Sequence, residues 1–161
     1  MKGRIIPRGL LCGGCLKSTN TGNFNFIKLD KGEELIQCLN SFSIEKGVRS
    51  GFLTGIGVLK NVELGYFDLK KNSYDIKLFE GEYELLSLMG NIAISEGKPS
   101  PHIHVVIGDK DFNCFGGHLI RGFVGITCEM VLALTEMNIE RMYDPDTKLR
   151  LLTPINEGSK K

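Results

Sequence analysis

His102, His104 and His118 are the only three histidines in the chain, and they fall within seventeen consecutive residues. Neutral imidazole is the commonest metal ligand among side chains, and three of them plus an open position make a ligand set of catalytic zinc. In Pro101-His102-Ile103-His104-Val105 the two rings stand at i and i+2. On a strand that spacing places both on one face, with ~7 Å between their Cα atoms, while Ile103, Val105 and Ile107 face the other way. His118 follows Gly116-Gly117, where missing side chains let backbone and ring approach a neighbouring strand. The turn Gly108-Asp109-Lys110-Asp111 can fold the two segments back antiparallel. The set therefore predicts a metal site, zinc first, although His-rich ligation also accepts iron, nickel or copper. A plainer account competes with it: His-x-His pairs also occur on polar strand faces, and Gly-Gly-His also occurs in turns.

Such a site needs a sheet to position it. A short strand fits Phe24 to Leu29, and Asp30 then offers an N-cap, with Glu33 completing a capping-box pattern. Leu35, Ile36, Leu39 and Phe42 recur at helical spacing and Gly47 is a natural stop, so one main helix is predicted over about 31–46. After Gly47 the period becomes two: Phe52, Thr54, Ile56 and Val58, then Val62, Leu64 and Tyr66. A turn at Lys70–Ser73 leads to Tyr74, Ile76 and Leu78, and Leu86, Leu88, Ile92 and Ile94 follow Gly81. Val124, Ile126, Cys128, Met130, Leu132 and Leu134 place six apolar residues on one strand face. Short strands with brief turns favour an α+β fold with a mostly antiparallel sheet over repeated βαβ units. The chain divides into a basic Gly/Cys-containing arm over 1–20, a single α+β domain over 21–153 and a flexible tail over 154–161.

Composition bounds the rest. A chain of 161 residues is one domain's worth and buries roughly 70% of its unfolded surface without needing staples. It is 42% hydrophobic and 24% charged, with a formal charge of +1, which excludes a uniformly polyanion-binding surface. Twenty glycines without a collagen period point to tight turns and close backbone approaches. No apolar run reaches the ~20 residues of a membrane span, and Pro7 and Gly9 interrupt any secretory signal. Five cysteines at irregular spacing fit reduced thiols in a cytoplasmic protein.

Weaker chemical candidates remain. Cys12-Gly-Gly-Cys15 has the CxxC form of redox and zinc-knuckle sites, but lacks a second pair and a helix starting at its cysteine. Cys114 lies four residues before His118, and a buried cysteine needs no further role. Glu129, in an apolar strand, is a candidate general acid/base or partner orienting a histidine, set against a structural ion pair. Arg121 could hold an anionic ligand, and Asn91 is the other polar residue near the site in chain order. Lys2, Arg4, Arg8 and Lys17, with no acidic residue among the first twenty, could touch phosphates or simply be solvated. No helix-turn-helix, zinc-finger spacing or aromatic-basic stacking platform accompanies them.

The runs Gly55-Ile-Gly-Val-Leu59, Leu85-Leu-Ser-Leu-Met-Gly-Asn91, Pro101-His-Ile-His-Val-Val-Ile-Gly-Asp109 and Gly116-Gly-His-Leu119 resemble, in this order, the plants and prokaryotes conserved (PPC) domain family. The resemblance covers roughly Phe24 to Leu152. It implies an α+β domain that associates as a homotrimer and, in prokaryotic members with all three histidines, a zinc site mapping onto His102, His104 and His118. The fold it implies is also similar to that of acetolactate decarboxylase, a metal enzyme with a His-x-His pair and a later histidine. Plant members carry AT-hook motifs, whose Arg-Gly-Arg-Pro core is absent here. The functional expectation is binding or metal-assisted conversion, of lyase or hydrolase type, of a small polar or carboxylate-bearing ligand. The alternative is a DNA-binding, transcription-associated module in which the domain serves as an oligomerisation platform.

Overall fold

A computed structural model describes residues 16–154. Cys12, Cys15, most of the basic arm and the tail beyond 154 lie outside the described residues. Eight strands and one helix follow in the order β1 (Lys17–Thr21), β2 (Phe24–Asp30), α1 (Leu35–Lys46), β3 (Gly51–Asp68), β4 (Ser73–Ser95), β5 (Lys98–Gly108), β6 (Cys114–Leu134), β7 (Ile139–Tyr143) and β8 (Arg150–Pro154). The fold is α+β, as the change from helical to two-residue periodicity predicts. All pairings are antiparallel except one parallel bridge, Ile94 with Glu140, between β4 and β7.

The long strands β3, β4 and β6 organise the sheet. β3 pairs with β4 and β6, and β5 also pairs with β4 and β6, so these four strands close a ring. Outside the ring, β2 and β1 extend the sheet from β6, and the β7–β8 hairpin extends it from β4. Alternation along β5 sends Ile103, Val105 and Ile107 into the core, where they join Leu59, Leu88, Ile92 and Leu132. The helix supplies Leu35, Cys38, Leu39 and Phe42 to the same core. Burying a Leu- or Phe-sized side chain contributes about 1.5–3 kcal/mol, so this shared core is what holds the helix on the sheet.

The helix begins four residues later than the capping-box pattern predicts. Its N-cap is Glu34, whose carboxylate accepts from the Ile36 and Gln37 amides at 3.2 and 2.6 Å. Residues 31–34 are engaged elsewhere: the Gly32 amide donates to Val124 O, the Glu33 carbonyl accepts from Val124 N, and Glu34 bridges Phe123. Glu33 still reaches back to the Asp30 amide at 2.6 Å, but across a turn rather than a helix start. The C-terminal end is as read, with Gly47 in the left-handed region at φ 63°.

Bulges shape both β3 and β6. The apolar runs over 52–59 and 62–66 are one strand, shifted in register at Gly55/Gly57 and Lys60/Val62, because a bulge bends a strand without ending its ladder. Ile126 is 66% exposed rather than buried with its β6 neighbours, because it lies at the register shift opposite Gly57 and Leu59.

Gly90 governs how closely β4 approaches the histidine strand. A Cβ there would sit 2.3 Å from the His102 carbonyl oxygen, a backbone atom that cannot yield without moving β5. Gly90→Ala is expected to cost about 1–3 kcal/mol in urea unfolding, the usual scale of overpacking. It should also displace His102 and His104, which a loss of metal uptake would register.

Candidate metal centre

Three ladders meet at the histidines. His102 lies opposite Asn91 and His104 opposite Met89 on β4, while His104 pairs across β5–β6 with His118. His118 in turn pairs with Gly65 on β3. The β5–β6 turn enforces this register: the Asp109 carboxylate accepts from the Asp111 and Asn113 amides at 2.9 Å each. Ring centroids are 5.2 Å apart for His102 and His104, 4.8 Å for His102 and His118, and 5.4 Å for His104 and His118. One nitrogen from each ring lies within 4.8 Å of the other two. Three imidazole nitrogens gathered in this way are a donor set that zinc accepts.

The surroundings fit a cation. His118 Nδ1 is buried with no hydrogen-bond partner, an orphan that metal ligation would satisfy. Tyr74 stacks on the His118 ring at 5.2 Å and fixes its plane. Burial, followed by the charge of Arg141 and the neighbouring imidazoles, lowers the His102 pKa from 6.5 to about 4. Burial, then His104 and Arg141, lower that of His118. Both rings are therefore held neutral near pH 7, the form that ligates metals.

The other sequence candidates divide. Asn91 does stand at the site, and its Oδ1 accepts a hydrogen bond from the Arg141 guanidinium. Arg121 does not: it is exposed, paired with Glu63 and set over the Phe123 ring. Glu129 is also remote, between Lys28 of β2 and Ile56 of β3, with half of β6 separating it from His118. Cys114 is exposed at the end of β6 and is not among the grouped ligand residues. Burial pushes the Cys128 thiol up to about 12, leaving it unreactive.

The residue that sequence reasoning missed is Arg141. It belongs to β7, which joins the sheet through a single bridge, and it is only 8% exposed. Nothing in Ile139-Glu-Arg-Met-Tyr143 distinguishes it from a surface arginine. A cavity of about 370 Å³ opens between the β7–β8 hairpin and the histidines, lined by Tyr74, Asn91, His102, His118, Arg141 and Leu151 among others.

Residues 16–136 match the Plants and Prokaryotes Conserved (PCC) domain, the family abbreviated PPC above, and the chain belongs to that family. Three solved structures share the fold. A protein provisionally named as DNA-binding from Bacteroides thetaiotaomicron is 30% identical with a TM-score of 0.83, covering 86% of this chain and 96% of that one. A plant- and prokaryote-conserved protein of Pyrococcus horikoshii is 32% identical with a TM-score of 0.77, covering 91% and 99%. A metal-containing protein of Archaeoglobus fulgidus is 33% identical with a TM-score of 0.76, covering 83% and 95%. The chain also matches the bifunctional protein GlmU of Synechococcus sp. (strain JA-3-3Ab), at 29% identity over 124 residues. That match takes in 75% of this chain but only 19% of the curated relative's length.

A pH signature follows from the buried neutral rings. Above about 6.5 neither folded nor unfolded His102 binds a proton; between 6.5 and about 4 only the unfolded form does. Chelator-treated protein is therefore expected to lose thermal stability as pH falls through that window. His102→Asn should flatten the slope in a series of melting curves.

Proposed function

We propose that this PPC-domain protein holds a divalent metal, zinc first, on His102, His104 and His118 and presents it to a small polar or carboxylate-bearing ligand. The observation that carries this reading is the convergence of three ring nitrogens, within 4.8 Å of one another, beside a cavity. The metal-containing relative in Archaeoglobus fulgidus supports it. When bound, such an ion polarises a carbonyl or carboxylate oxygen, or lowers the pKa of a coordinated water. The chain's own residues hold the His102 and His118 rings neutral, fix the His118 plane through Tyr74 and wall one side with the β7–β8 hairpin. Any conversion is then of lyase or hydrolase type. Neither Glu129 nor Arg121 serves it, because neither reaches the cavity.

Self-association as a homotrimer belongs to the same reading. Its support is an apolar outer sheet face, where Phe24, Phe26, Phe52 and Ile56 are each about half exposed and sit on the adjacent strands β2, β6 and β3 with Val131 and Ala133 between them. Contiguous exposed apolar surface of this kind marks interaction sites. No helix among the described residues is long and apolar enough to cross a membrane.

A second reading, a DNA-binding module, draws on the provisional DNA-binding name of the Bacteroides thetaiotaomicron relative and on Lys2, Arg4 and Arg8. It requires duplex affinity that falls steeply with salt as counterions are released. Replacing those three cations with Gln should abolish that affinity in fluorescence anisotropy; no binding at low salt by the unaltered chain discards the reading.

Purified protein is expected to carry close to one metal per chain by elemental analysis. His104→Ala should weaken zinc binding by more than the roughly 10–100-fold typical of losing an outer partner. Unchanged stoichiometric metal in that variant overturns the ligand assignment. Sedimentation should show trimers, and Phe26→Glu should shift them toward monomer.

A further inference from the structure

We infer that the cavity beside the histidines is a carboxylate-binding pocket and that Arg141, outside the family match, is the residue that anchors the anion. This rests on the reading above only in placing the anion next to the metal; the arginine's own situation is independent of any ion.

Among the described residues, Arg141 is a buried cation without a counter-charge. It is only 8% exposed, yet its partner there is the neutral Asn91 carboxamide. Its Nε is buried and meets no hydrogen-bond acceptor among those residues. Among the described residues no Asp or Glu lines the cavity, and Arg150, which also lines it, is already paired with Glu96. Burial of an arginine without a carboxylate is costly, because the guanidinium stays charged and its desolvation goes uncompensated. Burial alone displaces the Arg141 pKa downward, and its charge in turn depresses both His102 and His118. The three groups therefore share one local field, positive before any metal arrives and more so afterwards. Only an anion relieves it.

The shape selects the kind of anion. The free Nε–H is one donor of the fork that matches a planar carboxylate, and Asn91 holds the guanidinium plane in place. Leu149, Leu151 and Leu152, on or next to the strand paired with that of Arg141, add apolar lining that suits a short carbon chain better than a compact phosphate. A cavity of about 370 Å³ is at the lower end of small-molecule sites. The ligand class is thus a small organic carboxylate, with its carboxyl on Arg141 and the atoms beyond it directed at the histidines. The device is local to the β7–β8 hairpin, which Ser50 helps to anchor: its hydroxyl lies 3.0 and 2.7 Å from the Thr135 and Met137 carbonyl oxygens on the approach to β7.

The test is arginine Nε–Hε NMR on the full chain, in zinc-loaded and chelator-treated forms, titrated with acetate, lactate and succinate. Acetamide and inorganic phosphate serve as comparators, and the Arg141 signal is assigned by its loss in Arg141→Lys. A saturable shift of that signal with a carboxylate, absent with acetamide, is the expected result. Arg141→Lys and Arg141→Met should weaken the same carboxylate by roughly 10- to 100-fold, measured calorimetrically, while bound zinc per chain stays unchanged. The unsubstituted chain carries the decisive spectrum, so a variant that misfolds does not remove the test. No saturable shift in either form, undiminished affinity in a folded variant, or a response to phosphate alone overturns the assignment. Absent zinc together with a persisting Arg141 shift would discard the metal reading and keep this one.

Discussion

The ladder between β5 and β6 is the contact on which the site depends. It sets His104 opposite His118, and it is held in place because β5 also pairs with the long strand β4 and β6 with the long strand β3. A closed ring leaves no free edge along which one strand could slip, and a slip of one residue would turn a histidine to the opposite face. Metal-ligand geometry tolerates errors of tenths of an ångström, so this rigidity matters more here than in an ordinary outer face. The Asp109 turn and the bare backbone at Gly90 are local conditions for the same register.

The two faces of β5 divide the labour. Ile103, Val105 and Ile107 enter the core and contribute its stability, while His102 and His104 on the other face contribute little to it, with His102 lining the cavity. Stability and chemistry are thereby separated by the two-residue period of a strand. What His102 and His118 lose by partial burial is their charge, and neutral rings are what a cation requires. The same desolvation that weakens them as bases makes them ligands.

The β7–β8 hairpin adds a component of a different kind. It is joined to the rest of the sheet by one backbone bridge and by side-chain contacts such as Arg141 on Asn91, Asn72 on the Asp146 carbonyl and the Arg150–Glu96 pair. A buried arginine carried on such a lightly attached element couples its docking to whatever anion completes the pocket. Ligand and hairpin would stabilise one another by simple linkage.

The amino-acid sequence by itself determined the α+β class, the Gly47 helix stop, and the placing of His102 and His104 on one strand face, because local periodicity and turn chemistry act over a few residues. It also marked His118, because histidine is so scarce elsewhere in the chain that its clustering carries information. The helix start escaped it, since the Gly32 amide and the Glu33 carbonyl are claimed by Val124 and Glu34 bridges Phe123, both distant in sequence. Ile126 escaped it because a bulge is a property of two strands together. Glu129 and Arg121 drew attention as polar residues near the motifs, yet strand length and neighbouring charges carry them elsewhere. Only the tertiary structure could bring Arg141 to the histidines, because its burial comes from a hairpin folding back across more than twenty residues of chain, and no local pattern encodes where a strand will dock.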